Sequence, residues 1–592
     1  MTISIKKIIS ENQKGFIFIL FAALLFFKNT LFHSIIYNLV PISDLWNKTF
    51  DFILFWMPKI IPAIFVSSFI FITKKYWWTW IVALLVDLWA ISNIVYYESS
   101  GFFLTVNEIL MAGNLRGFGQ SIFTFLHWNQ LFFILSTFFY ILTLYIIKPQ
   151  KIKPQYIKFF ITLTIIWLLC PYRFFYDNRG DNPYWTNGEK TKFISTLNPF
   201  FFISYYVSLI KDPPALWSWT ASVMHHSIIS YAPMTVADYI SWKSNTHDFA
   251  PQLDTLQKLN QALVFSNDTI IPSTNLYIIL VESFESWTIG ENQIEDQTIT
   301  PNICNFIKDY NCYYFPNTVS QIRYGQSGDG QMILISGLLP ITRGTACIRL
   351  PGNTYPSIAK HFDNATIVNP CPKSWNQAKM SLQYGFTRKR ESIPEDDYAI
   401  FNEFCRQTDS SNFCLAITIS THTPFEKGNY TSLHFSKDMP HTLHNYIGSI
   451  HYMDSCFGQF LQKFQSDSNL QNSIIVITGD HTIFTQQSIA HFSNYAKKYR
   501  QPIPATKGFI PLIIYSPKFN SSHIITDTVY QMDIYPTLLQ LTGQQNHTWR
   551  GFGVDITNDS IRKNRPFTID EAYRISDMII NSNYLKQFEK QL

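Results

Sequence analysis

Residues 473–482, SIIVITGDHT, decide how the second half of this chain folds. Four consecutive branched apolar residues, Ile474 to Ile477, are too few for a buried helix and suit a strand covered on both faces. Such a strand delivers the next residues, Gly479, Asp480 and His481, to its carboxyl end. Similar short apolar runs recur at LYIILVE (276–282), ATIVNP (365–370), FCLAITIS (413–420) and FIPLIIYSP (509–517). Between them lie helical patterns: GDGQMILISGLL (328–339), KSWNQAKMSLQYGF (373–386), HNYIGSIHYMDSCFGQFLQKF (444–464) and QMDIYPTLLQLTG (531–543). This alternation predicts an α/β domain over 271–592, with a mostly parallel central sheet flanked by helices. In such sheets the ligand site lies beyond the carboxyl ends of the strands.

The first half follows a different pattern. The 592 residues are 47% hydrophobic and only 15% charged, against about 25% charged in an ordinary soluble domain. The apolar excess is concentrated in five runs, at 16–35, 52–73, 77–97, 127–147 and 157–176. Each approaches the roughly 20 residues that cross a bilayer as a helix. A cleaved leader would account for the first run alone. Residues 1–176 are therefore expected to form a five-helix transmembrane domain. Lys6, Lys7, Lys14, Lys74, Lys75, Lys148, Lys151, Lys153 and Lys158 fall on alternate connections, which sets the N-terminus in the cytoplasm. Five crossings then place 271–592 on the extracytoplasmic side of a bacterial cytoplasmic membrane. Residues 177–270 read as a juxtamembrane linker with an interfacial aromatic segment, NPFFFISYYVSLI, and a proline stop. Lys28 and Lys59 lie inside apolar runs and need a polar cavity or a snorkelling route.

The net charge of +5 comes mainly from the inside lysines, and no basic stripe with interleaved aromatics points to nucleic acid. Of eight cysteines, three nearby pairs, Cys304/Cys312, Cys347/Cys371 and Cys405/Cys414, could form disulfides in an oxidising compartment.

Three segments bring chemistry to the strand ends. Glu282 follows the run YIILV, and Asp480–His481 follows IIVITG. Taken alone Glu282 reads as a helix cap, but a cap needs no adjacent histidine, so GDH is the more specific signal. Together the three side chains offer oxygen and nitrogen donors suited to Zn²⁺ or Mn²⁺, with Mg²⁺ possible. The third segment is RYGQSGDGQM (323–332), where Ser327 precedes an apolar helix. Ser327 or Asp329 could simply cap that helix. A serine at a helix start among glycines could equally face an anion, and beside a metal its hydroxyl becomes a usable nucleophile.

The order strand–Glu282, glycine-rich Ser327 at a helix start, STHTPF (420–425), Y-x-D (452–454) and strand–GDH resembles the sulfatase/alkaline-phosphatase-like superfamily. With five spans ahead of it, the chain looks like the lipoteichoic acid synthase branch, whose relatives include phosphoglycerol and phosphoethanolamine transferases. The resemblance implies metal ligands at Glu282, Ser327, Asp480 and His481, and a covalent nucleophile at Ser327 where the family commonly has threonine. It further implies an active-site histidine at His422, a head-group pocket at Trp375 and Asn376, and a second histidine facing the site at His491. Gln377 stands where the synthases often have arginine, and the histidine that precedes the pair in that branch is absent from IVNPCPKSW.

What the resemblance implies is a membrane-anchored, metal-dependent transferase. Its donor would be a membrane phospholipid and its acceptor an envelope glycan or lipid. A phosphodiesterase that transfers to water, and a non-catalytic membrane binding protein of the same fold, remain alternatives. Sulfate ester hydrolysis is disfavoured, because SGDGQ lacks the proline and arginine that follow a formylglycine precursor.

Overall fold

Lys28 explains much of the first unit. A computed structural model describes residues 13–39, most of 59–106, 126–147, scattered residues within 227–240, and 274–589 with short breaks at 343, 424, 484–485, 505–507 and 545–548. The chain divides into two compact units, one formed by Met1–Val106 and Phe125–Ser244 and another that holds Asn245–Leu592. In the first, α1 (Gln13–Leu39), α2 (Trp77–Ser100) and α3 (Leu131–Ile147, entered through a 3₁₀ turn at Trp128–Gln130) are long and apolar enough to cross a membrane. Lys28 of α1 pairs with Asp87 of α2. It also donates to the Phe133 carbonyl (3.0 Å), Ser136 Oγ (3.0 Å) and Thr137 Oγ1 (2.8 Å) of α3. Thr137 Oγ1 in turn donates to Asp87 Oδ2 at 2.5 Å. The charge that looked awkward in the sequence is thus consumed by its neighbours, as a polar group in hydrocarbon requires.

Of the five expected spans, the described residues contain three. The second run contributes a shorter apolar helix, Pro62–Phe71, and the fifth lies outside the described residues.

The second unit is built on a nine-stranded sheet. Its strands are β1 (Leu276–Val281), β2 (Cys312–Val319), β3 (Ala365–Val368), β4 (Arg388–Arg390), β5 (Phe413–Ile417), β6 (Ile474–Gly479), β7 (Ile510–Tyr515), β8 (His523–Ile524) and β9 (Val529–Tyr530). The order is β4-β3-β5-β1-β6-β7-β2-β8, with β9 pairing β2. From β4 to β6 every pairing is parallel, whereas β7 runs antiparallel to both β6 and β2. The sheet is mixed but mostly parallel, as expected, since β7 alone among the nine strands runs against its neighbours. Of the four strands that the apolar runs do not announce, β2 (CYYFPNTV) carries Pro316 at a register shift between Phe315 and Thr318 and gives no clean apolar run.

Alternate residues of β1 enter opposite cores. Leu276, Ile278 and Leu280 pack with α5 (Gln326–Ser336), α6 (Gln377–Gln383), α10 (Ile534–Leu541) and α11 (Ile569–Ser582). Tyr277, Ile279 and Val281 pack with α4 (Pro301–Asp309), α7 (Asp397–Gln407), α8 (His441–Ser466) and α9 (Gln486–Tyr499). Helix α8 earns its place by period: Leu443, Tyr446, Ile447, Ile450, Met453, Phe457, Phe460 and Phe464 form one buried stripe.

The seven cysteines of the second unit are free. The three suggested disulfides are absent because several of the sulfurs face local groups instead. Cys312 Sγ donates to the Phe306 carbonyl at 3.6 Å, Cys347 Sγ to Thr345 Oγ1 at 3.5 Å, and Cys304 Sγ lies 3.8 Å from Thr300 Oγ1.

Candidate active site

Strands β1 and β6 lie side by side in parallel register, so their carboxyl ends deliver Glu282 and Asp480–His481 to one point. Ser327, in the first turn of α5, arrives from the next layer. Its Oγ lies 3.0 Å from Glu282 Oε2 and 3.2 Å from His481 Nε2. The helix is capped by Gly325, and no side chain caps it, so Ser327 is not the N-cap.

The surrounding bonds fix each group. His481 Nδ1 lies 3.1 Å from the Thr482 carbonyl, which can only accept, so Nδ1 carries a proton and Nε2 is the ring nitrogen that faces the carboxylates. Nε2 lies 3.4 Å from Glu282 Oε1 and 3.5 Å from Asp480 Oδ2. Asp480 Oδ1 accepts the backbone N–H groups of Ser283 (2.8 Å) and His481 (2.7 Å), whereas buried Oδ2 accepts no hydrogen bond among the described residues. Ser283 Oγ donates to Glu282 Oε1 at 2.7 Å, and Thr418 Oγ1 accepts the Glu282 N–H at 3.1 Å.

Two buried carboxylates this close cannot ionise equally. Burial and the neighbouring Glu282 charge push Asp480 well above the usual carboxylate range. Burial also opposes the charge on Glu282, but the His481 and His422 imidazoles and the Ser283 hydroxyl outweigh it and hold Glu282 low. An orphaned Asp480 Oδ2 and ligand atoms of Glu282, Asp480 and His481 all within 4.8 Å of one another are what a divalent cation requires. The residues fit a metal, with Ser327 Oγ adjacent as a further donor.

His422 lies in the loop after β5, near enough that a positive charge on its ring favours ionised Glu282. Its Nδ1 lies 2.7 Å from the Thr423 carbonyl and so carries a proton. Trp375 and Asn376 are both left-handed, with φ of 51° and 55°, and Asn376 Nδ2 donates to the Cys347 carbonyl at 3.0 Å. A Cβ built on Gly328 would lie 3.2 Å from Trp375 Cβ and 3.3 Å from Cys347 Sγ, so Trp375 sits against the residue that follows Ser327. Gln377, the next residue and the first of α6, is buried. His491 lies on α9, and its side chain is outside the described residues.

A family model for the sulfatase domain matches residues 274–544, and one for the lipoteichoic acid synthase N-terminal domain matches residues 1–211. The chain is a lipoteichoic acid synthase-like member of the sulfatase/alkaline-phosphatase superfamily. It is similar to lipoteichoic acid synthase 2 of Bacillus subtilis, at 22% identity over 94% of this chain and 85% of that protein. Lipoteichoic acid synthase of Staphylococcus aureus is 21% identical over 87% of this chain and 80% of its own length. Among solved structures, the lipoteichoic acid synthase LtaP from Listeria monocytogenes aligns at 20% identity and a TM-score of 0.45, over 57% of this chain and 98% of that one. The integral membrane lipooligosaccharide phosphoethanolamine transferase A of Neisseria meningitidis aligns at 13% identity and a TM-score of 0.48, over 91% and 96%.

Two supports of this synthase-like site escape a reading of the sequence. Asp329 points back from the first turn of α5, and its Oδ2 accepts the N–H groups of Arg323 and Gly325, both at 2.9 Å, clamping the loop that presents Ser327. Burial pushes this carboxyl up to about 6. Asp397, at the start of α7, accepts Ile419 N (2.8 Å) and Ser420 N (3.0 Å) and so anchors the loop that carries His422. Both resemble local helix caps in the sequence; only the fold reveals that they reach another segment.

Proposed function

We propose that this chain is a membrane-anchored, metal-dependent transferase. It would move a phospho head group, phosphoglycerol or phosphoethanolamine, from a membrane phospholipid to an envelope glycan or lipid. The observation that carries this reading is Ser327 Oγ, within hydrogen-bond reach of both Glu282 and His481 in a buried three-donor cluster. Glu282, Asp480, His481 and Ser327 would hold a divalent cation, Mn²⁺ or Zn²⁺ with Mg²⁺ admissible, which when bound polarises a phosphoryl oxygen.

The protein's own residues do the rest. Ser327 Oγ attacks phosphorus and passes its proton to the Glu282 oxygen to which it already donates. The bond from phosphorus to the diacylglycerol oxygen breaks, and His422 as imidazolium protonates that oxygen. Neutral His422 then takes the proton of the acceptor hydroxyl, which attacks phosphorus; Ser327 Oγ departs and recovers its proton. Trp375 and Asn376 border the head group, and His491 is assigned to the same pocket by its place in the sequence. Residues 1–176 would anchor the enzyme, 177–270 would link it, and 271–592 would work on the extracytoplasmic side, where donor and product are both membrane lipids or envelope polymers.

The test is full-length protein in detergent with Mn²⁺ and head-group-labelled phosphatidylglycerol or phosphatidylethanolamine, with and without membrane glycan. Diacylglycerol release and a labelled adduct on intact mass, absent from Ser327→Ala, are expected. No diacylglycerol from any phospholipid refutes transfer and favours the binding protein. Diacylglycerol with label released only to water favours the phosphodiesterase.

A further inference from the structure

Gln331 is 1% exposed on α5, and neither Oε1 nor Nε2 has a hydrogen-bond partner among the described residues. Burying an amide with nothing to bond costs about 1–3 kcal/mol for each unsatisfied group. Its neighbours on the helix, Met332, Ile333, Leu334 and Ile335, are all apolar and buried, so packing alone would be served by another aliphatic side chain. An unsatisfied group at such a position calls for a ligand.

The helix sets where that ligand lies. Gln331 follows Ser327 by four residues and Gly328 by three, so all three share one face. Side chains on a helix lean toward its N-terminus, which from Gln331 is the direction of the turn that carries Ser327 and Gly328. On one side of that turn stands the Ser327 hydroxyl, bonded to Glu282 and His481; on the other stands Trp375, against Gly328. The adjacent Gly330 has no side chain to intrude, and its Cα faces the Asp480 carbonyl.

We infer that Gln331 binds the phospho head group beside Ser327, its Nε2 donating to a phosphate-ester oxygen and its Oε1 accepting from a head-group hydroxyl or ammonium. This rests on the transferase reading for the identity of the group, but the binding itself can be tested apart from transfer. A phosphate ester only accepts, so it satisfies Nε2 alone; Oε1 requires a ligand that also carries a donor. The ligand class is thus a small phosphate ester with a hydroxyl or ammonium one or two carbons away.

The experiment compares wild type with Gln331→Met, which keeps the length and removes both polar groups. Full-length protein in detergent with Mn²⁺ is followed by thermal unfolding with no addition, with glycerol phosphate, with phosphoethanolamine and with inorganic phosphate. In parallel, kcat and KM are measured for phosphatidylglycerol and phosphatidylethanolamine. The expected result is an unliganded Tm that is unchanged or higher in Gln331→Met, a ligand-induced Tm shift that is lost, and a fall in kcat/KM of about 10- to 100-fold. A lowered unliganded Tm would mean that the amide serves the fold, and would overturn the inference. Equal ligand shifts in both proteins, or kcat/KM within about twofold, would overturn it as well. If wild type binds a phosphate ester and Gln331→Met does not, yet neither releases diacylglycerol, the transferase reading fails and the Gln331 assignment stands. If wild type binds neither ester and releases no diacylglycerol, both fall.

Discussion

Two non-glycine residues beside the reacting groups hold left-handed backbone, Ser283 with φ of 50° and Gln326 with φ of 41°. Such residues store of order 1–3 kcal/mol each and persist only where their surroundings dictate them. Ser283 is held by the Tyr446 hydroxyl, which donates to its carbonyl at 2.8 Å, and by Asp480 Oδ1 on its N–H. Gln326 is fixed by the Asp329 clamp around it. This strain aims Glu282 and Ser327 at each other, so the hydroxyl itself is what chemistry should depend on. Ser327→Ala is expected to lower diacylglycerol release by at least about 1,000-fold, while Ser327→Thr, which keeps the hydroxyl, stays within about tenfold of wild type. Tm should be nearly unchanged in both. At this scale Glu282, Asp480 and His481 were legible because a carboxylate or histidine directly after a short apolar run has one place to go. Asp329 and Gln331 were not, since a cap and a core amide look ordinary until their partners, or the lack of them, are known.

Helix α5 meets the end of β6 without a side chain between them. A Cβ on Gly330 would lie 2.4 Å from the Asp480 carbonyl, a backbone atom that cannot swing aside. Gly330→Ala should therefore push the helix from the strand and separate Ser327 from His481. The expected cost is about 1–3 kcal/mol in thermal unfolding, together with a weakened affinity for Mn²⁺ by calorimetry. Helix α4 shows a different dependence. Asp454, inside α8, accepts Asn302 N (3.0 Å), Ile303 N (2.9 Å) and Asn302 Nδ2 (3.0 Å), and so caps α4 from across the fold. Burial raises its pKa to about 7 even against those bonds. A carboxyl raised in the folded state contributes stability that is complete below its unfolded value near 4 and lost as pH rises through 7. Chemical denaturation should show this as a fall of at most about 4 kcal/mol between pH 4 and 8, flattened in Asp454→Asn. Elements with a single clear period, such as α8, β1 and β6, could be read from the sequence. Strand β2 could not, because Pro316 and Asn317 interrupt it and its pairing with β7 depends on contacts nearly 200 residues away.

For the whole molecule, the division into an apolar half and an α/β half was plain in the sequence, because twenty-residue apolar runs and five-residue strands differ in length as well as composition. The pairing inside the apolar half was not, since a lone Lys28 does not announce which helix supplies its counter-charge. The structure brings Asp87 and Thr137 to it from two other helices, so this one polar junction ties α1, α2 and α3 together. A buried pair gains little over well-packed apolar residues, yet removing one partner strands a charge where no water can reach it. Lys28→Met or Asp87→Leu alone should each cost about 3–5 kcal/mol, whereas the double variant should recover most of that loss. The measurement is thermal unfolding of the full chain in detergent, run as a double-mutant cycle with diacylglycerol release as a second readout. Single variants that unfold near the wild-type temperature would mean that the junction does not hold the three helices. If the double variant recovers Tm without recovering transfer, the pair serves the reaction as well as the fold, because its stabilising role will then have been replaced and its charge will not.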